Sequence, residues 1–186
     1  MMPKSNFLQK YSLILVVYSL VFVLITVGSI YSERFLTLRN LTNVLRQAAY
    51  LGTAALGEML VILTAGIDLS IGSLVKLSVL VSAILMDGNP DNVIMAVGLT
   101  LALGLGVGLL HAFFINELNL SPFVVTFASL FILQGISLTI TTKPIGRSSK
   151  DFLLLYSQKF FEVPIIVYFF GLVTLLIAFL LRMTVF

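Results

Sequence analysis

The sequence contains no cysteine. Disulfides, thiolate nucleophiles and zinc–thiolate centres are therefore excluded. A single histidine, His111, leaves no second imidazole for a His-rich metal site. Charge is scarce as well. Only 10% of the 186 residues are Asp, Glu, Lys or Arg, against about a quarter in a soluble globular domain. The net charge of +3 is scattered, with no basic run, so nucleic-acid binding is not expected. There is no Gly-x-Ser-x-Gly, no His-Glu-x-x-His, no P-loop and no supported carboxylate pair. An enzyme is not expected, and neither is a cofactor.

What the chain does have is apolar length. Its hydrophobic fraction is 59% and its mean hydropathy +1.12. A bilayer core about 30 Å thick takes ~20 mostly apolar residues per helix. Six stretches approach that: residues 12–30, 47–64, 71–86, 93–115, 122–141 and 164–185. They are continuous rather than alternating, which excludes barrel strands and leaves helices as the spanning structure. Lys4 and Lys10 precede the first stretch, as they would in a signal peptide. That stretch is long for one and no small-residue cleavage site follows, so it reads as an anchor. The fold expected is an all-α membrane protein with about six transmembrane helices, in one domain over residues 1–186.

One segment interrupts the pattern. "TAGIDLSIGS", residues 64–73, places Gly66, Asp68, Ser70, Gly72 and Ser73 between two apolar runs. Glycine weakens a helix by about 1 kcal/mol against alanine. Asp and Ser are good N-caps. One helix is therefore expected to end near Gly66 and another to begin near Asp68 or Ser70. Two readings fit: a solvated turn at the membrane surface, or a break inside a protein-lined core. Glu58 and Lys76 flank the segment. Ionisable groups inside spans usually face the bundle interior or a water path. Glu58 fits a packing hydrogen bond, a pair with Lys76, or a proton-coupling carboxylate. Lys76 can also snorkel along its aliphatic stem.

Elsewhere, Gly104 and Gly108 form a small-xxx-small pair, with Gly98 and Gly106 nearby, and read as helix packing. His111 reads as a packed polar residue. After the short connection "NELNLS", Pro122 suits a first helical turn. Thr126, Ser129 and Gln134 follow, as interhelical hydrogen-bonding groups or the lining of a polar path. In the polar segment 143–162, residues 152–156 with Phe160 and Phe161 suggest a short interfacial helix with aromatic anchors. Orientation is contradictory. With the N-terminus inside, the inside segments hold Lys4, Lys10 and Arg182, and the outside ones Arg34, Arg39, Arg46, Lys143, Arg147, Lys150 and Lys159. The positive-inside rule favours the reverse.

"FLTLRNLTNVLRQAAYLGTAALGEMLVILTAGIDLSIGS" and "LSPFVVTFASLFILQGISLTITTKPIG" resemble two regions of the sugar ABC-transporter permeases of the ribose/xylose/galactose type. The resemblance runs from about Phe35 onward and is clearest up to Arg147. It implies an inside N-terminus and an inner-membrane permease subunit importing a monosaccharide. The partners it implies are a second permease subunit (homo- or heterodimer), cytoplasmic ATP-binding subunits, an extracytoplasmic sugar-binding protein and membrane lipid. The family's Gly-Ile-Asp-Leu-Ser core maps onto Gly66, Ile67, Asp68, Leu69 and Ser70, which favours a break near the translocation path. Ala65 stands where a second glycine is common. Lys76 and His111 stand where small or uncharged residues are usual, and Glu117 where a basic residue is frequent. Family members also continue past "LLRMTVF", so the chain is expected to be the N-terminal part of a permease. Alternatives are a branched-chain amino-acid or nucleoside permease of related architecture, or a truncated, non-transporting membrane scaffold.

Overall fold

A computed structural model describes residues 7–143 and 145–183. The parts of the sequence reading that touch Lys4, Pro144 and residues 184–186 lie outside the described residues. The chain forms α1 (Phe7–Tyr31), α2 (Leu38–Leu63), α3 (Ile71–Met86), a 3₁₀ turn (Pro90–Asn92), α4 (Val93–Ala112), a π turn (Phe113–Glu117), α5 (Pro122–Ile140), α6 (Lys150–Ser157), the short strands β1 (Lys159–Phe160) and β2 (Val163–Pro164), and α7 (Ile165–Met183). It is an all-α membrane protein. The residues divide into two units, 1–45 and 46–186, with the boundary inside α2.

In the first unit, α1 is apolar all round from residue 11 to 31 and most of those side chains are exposed, as a lipid-facing helix requires. The turn after it is tight. Phe35 lies under Gly28, where a Cβ would come within 2.6 Å of the ring. The Asn40 side-chain amide donates to the Phe35 carbonyl at 2.7 Å.

In the second unit, α3 packs against both α4 and α5. Leu77, Met86, Ala96, Val125 and Leu133 are buried at these contacts. Gly52 of α2 lets α7 approach, since a Cβ there would lie 2.6 Å from the Phe170 ring. The same test at Gly104 and Gly108 finds nothing within 4 Å. The close-packing glycine found here is therefore Gly52, and the Gly104–Gly108 face is open.

Among the described residues, four helical stretches are long and apolar enough to span a bilayer: Tyr11–Tyr31, Pro90–Glu117, Pro122–Ile140 and Ile165–Met183. Two of the six expected spans do not meet that test, and they flank the break. α3 has 16 residues, about 24 Å at 1.5 Å per residue. α2 starts nine residues before the predicted 47, and its added first turns carry Arg39, Asn40, Asn43 and Arg46. Hydropathy detects the lipid-compatible part of a helix, not the helix itself.

α6 confirms a helix in the polar segment and corrects its extent. Its N-cap is Ser149, whose hydroxyl accepts from Phe152 N at 3.1 Å. Phe160 and Phe161 lie beyond it, in a hairpin. The turn residues Phe161 and Glu162 both have positive φ, 47° and 63°, as a type I′ turn demands. α6 is fixed to α2 by Tyr156. Its ring stacks on Tyr50 at 5.7 Å and 14°, and the Arg46 guanidinium lies 5.2 Å from its centroid. Tyr156→Ala is expected to cost about 1–3 kcal/mol. Hydrogen exchange should show faster exchange across residues 150–158 while α4 and α5 keep their protection.

The C-terminus of α2 closes with a Schellman motif. Gly66 N donates to Val61 O and Ala65 N to Ile62 O, both at 2.9 Å. The left-handed position is occupied by Ala65, at φ 57°. An L-residue there costs about 1–2 kcal/mol. Ala65→Gly relieves that strain at the expense of some unfolded-chain entropy. The expected net gain is about 0.5–1 kcal/mol, read as a higher unfolding temperature in detergent.

Candidate functional site

The left-handed residue at 65 reverses the chain direction, so residues 66–70 run back across the end of α2. Asp68 does not cap α3 as the sequence suggested. Its Oδ1 accepts from Ser70 N at 2.8 Å and from Ser70 Oγ at 2.7 Å. This is an Asx-turn, the short-range bond that Asp favours outside helices. Ser70 is fully buried, and its hydroxyl is committed to Asp68, so it makes no side-chain cap either.

Glu58 lies across from this turn. Its Oε1 accepts from Asp68 N at 3.4 Å, a long bond. Its Oε2 is buried with no partner among the described residues. The pairing with Lys76 is not found: Lys76 is exposed on α3, and the one ion pair among the described residues is Lys159–Glu162, at 3.2 Å.

The first intrahelical bond of α3 runs from Leu74 N to Ser70 O. The amides of Ile71, Gly72 and Ser73 are the orphan donors that every helix start leaves. Neither side-chain candidate caps them. Gly72 is exposed, and a Cβ built there meets nothing within 4 Å. The positive end of the α3 dipole therefore faces the side of the break that holds the Asp68 carboxylate.

α5 reaches the break through Thr126. Its hydroxyl, buried, lies 3.0 Å from Ile67 O and 2.8 Å from Pro122 O and shares one proton between them. Ile67 is thereby level with a residue four positions inside the start of α5, about 6 Å along its axis. α3 falls short of a bilayer core by about the same length. Residues 66–70 thus sit level with the first turn of α5. Ser70 is fully buried and Ile67 exposed, and Glu58 and Thr126 contribute hydrogen bonds to the segment.

The remaining predicted polar residues separate into two groups. Ser129 pairs with His111, whose Nε2 lies 2.8 Å from Ser129 Oγ, with His111 buried. The pair sits on an otherwise apolar groove between α3, α4 and α5, about 570 Å³ in volume. Gln134 is exposed on α5 and Ser73 half-buried on α3. The Ile67 carbonyl could not be foreseen as Thr126's acceptor, because any residue supplies one.

No group of three or more His, Cys, Asp or Glu side chains gathers among the described residues. The site has carboxylate acceptors, backbone donors and the hydroxyls of Ser70 and Thr126, each already hydrogen-bonded within the chain.

Residues 40–186 match the family described as the permease component of the branched-chain amino acid transport system. The D-allose transport system permease protein of Escherichia coli is 32% identical over 154 residues, covering 82% of this chain and 47% of that protein. The ribose import permease protein of E. coli is 37% identical over 119 residues, covering 64% and 37%. The galactose/methyl galactoside import permease protein of E. coli is 32% identical over 132 residues, covering 65% and 39%. The chain thus spans less than half the length of these relatives. No solved structure matches it. On the family match over most of its length, the chain belongs to the family of permease components described for branched-chain amino acid transport.

Proposed function

We propose that this chain is the membrane-spanning permease component of an ATP-driven importer of a monosaccharide of the ribose, allose or galactose class, in the inner membrane. The relatives named above are permeases for such sugars, which weighs against an amino-acid substrate. The observation that carries the reading is the break between α2 and α3. A sugar hydroxyl both donates and accepts. Glu58 Oε2 and Asp68 offer acceptors, and the free amides of Ile71, Gly72 and Ser73 offer donors, level with the first turn of α5. Thr126 ties α5 to the break, Ser129 with His111 gives the α3–α4–α5 groove its polar point, and the open Gly104–Gly108 face of α4 receives a partner helix. The partners are a second permease subunit, cytoplasmic ATP-binding subunits and an extracytoplasmic sugar-binding protein. ATP binding and hydrolysis shift the permease between inward- and outward-open populations.

The test is reconstitution of the permease with its ATPase and binding protein in proteoliposomes. ATP-dependent uptake of ribose, allose or galactose is the expected result. Uptake of leucine without sugar uptake would move the chain to amino-acid transport. Failure to co-purify with an ATPase, together with no uptake, would leave a scaffold.

A further inference from the structure

A second feature of the fold lies along α3, from Lys76 in its second turn to Ala83 near its end. A groove of about 400 Å³ runs between α3 and α5 and is lined by Lys76, Ser137, Thr141, Thr142 and Lys143 together with aliphatic side chains. No Asp or Glu lines it. Lys76 is ten residues from the end of α3, about 15 Å along the axis. An ammonium group in the spanning part of a helix is costly and calls for a partner. Among the described residues neither Lys76 nor Lys143 has an ion-pair partner, since the ion pair present is Lys159–Glu162.

The hydroxyls of the groove are unequal. Ser137 donates to Leu133 O at 2.8 Å and Thr141 to Lys143 O at 2.6 Å, so their protons are committed. Thr142 is left with a free hydroxyl among the described residues. The usable groups are thus two ammoniums, which only donate, and one hydroxyl, which can donate as well as accept. Where Arg147 N donates to Ala83 O at 3.1 Å, the chain crosses α3 and closes that end of the groove.

Two like charges lining one groove with aliphatic walls repel each other, less so where their exposed tips meet solvent. A single anion between them converts that repulsion into two attractions. We propose that this groove is an anion subsite, in which Lys76 and Lys143 clasp one carboxylate or phosphate group. The group belongs either to an acidic sugar, a reading that rests on the sugar-permease assignment, or to the headgroup of an anionic phospholipid. The subsite itself requires neither assignment.

The experiment uses the purified chain in nanodiscs. In neutral phosphatidylcholine discs, galacturonate, galactose and inorganic phosphate are titrated and followed by thermal shift. In a second set containing phosphatidylglycerol, retained lipid is counted by native mass spectrometry. Lys76→Met and Lys143→Gln are each expected to weaken anion binding by about tenfold, and Lys76→Arg to keep it. Galactose binding should show no such dependence. Lysine-dependent binding of galacturonate gives the subsite to the solute. Lysine-dependent retention of phosphatidylglycerol with no response to galacturonate gives it to the lipid. Anion binding that is absent, or unchanged in both Lys76→Met and Lys143→Gln, overturns the proposal. These readouts need no ATPase, so a failure of transport and a failure of the subsite are separately visible.

Discussion

Asp68→Ala is expected to lower sugar uptake at least about tenfold, because Oδ1 holds the chain reversal in place. That one oxygen accepts from both the amide and the hydroxyl of Ser70, which is fully buried. Alanine strands two buried donors, at about 1–3 kcal/mol each. The break would then lose the geometry that sets the first amides of α3. Asp68→Asn separates shape from charge. The amide oxygen can still accept from Ser70, so folding and protein level should return to near normal. Uptake that stays low in Asp68→Asn would assign the negative charge itself to transport. Uptake by Asp68→Ala equal to wild type, at equal protein level in the full permease, would remove Asp68 from the mechanism.

Gly146→Ala is expected to be the most destabilising small substitution on the chain. Gly146 has φ 80°, and a Cβ there would lie 2.5 Å from the Ala83 carbonyl carbon and 2.7 Å from Ile84 N. Those are backbone atoms, so no side chain can swing aside. The residue belongs to the strap that crosses α3. Arg147 N donates to Ala83 O at 3.1 Å, and Gly88 N to Arg147 O at 2.8 Å. Left-handed strain of about 1–2 kcal/mol and two weakened hydrogen bonds together set a loss of at least about 3 kcal/mol. Gly88→Ala is the matched control. Its φ is 77°, but the nearest atom to its Cβ would be Arg147 Cβ at 3.9 Å. It should show the strain alone, about 1–2 kcal/mol. Unfolding temperatures of the two variants in one detergent, with hydrogen exchange at residues 145–149, would check both numbers. Equal losses would show that the strap is free to lift.

How much of this was legible depended on whether the cause was local. The limits of α3 were read correctly as 71–86, since Gly66, Asp68 and Ser70 weaken the helix on one side and Asp87–Gly88 end it on the other. α5 was read to within one residue, because Pro122 fixes its first turn. The start of α2 was missed, because its first turns are too polar for a hydropathy window. The break was foreseen as a break, and the family resemblance favoured burial. Its working parts were not foreseen. Thr126 acts on a backbone carbonyl 59 positions away, and Tyr50 meets Tyr156 across 106 positions of chain. Spacing along a sequence has no access to such pairs. Gly52 as a packing glycine was equally closed, since it sits in an apolar run and only its distant neighbour, Phe170, reveals it.

The shortness of α3 has an electrical consequence. Where water reaches the break, an element about 24 Å long makes the insulating slab about one turn thinner than the surrounding bilayer. Membrane voltage falls across the insulator, not across the water that enters it. Asp68 therefore sits close to the potential of the solution on its own side, and little of its charge is felt by the field. A change of membrane voltage should leave the occupancy of the break nearly untouched. Its influence would fall instead on Lys76, five residues into the thinned slab.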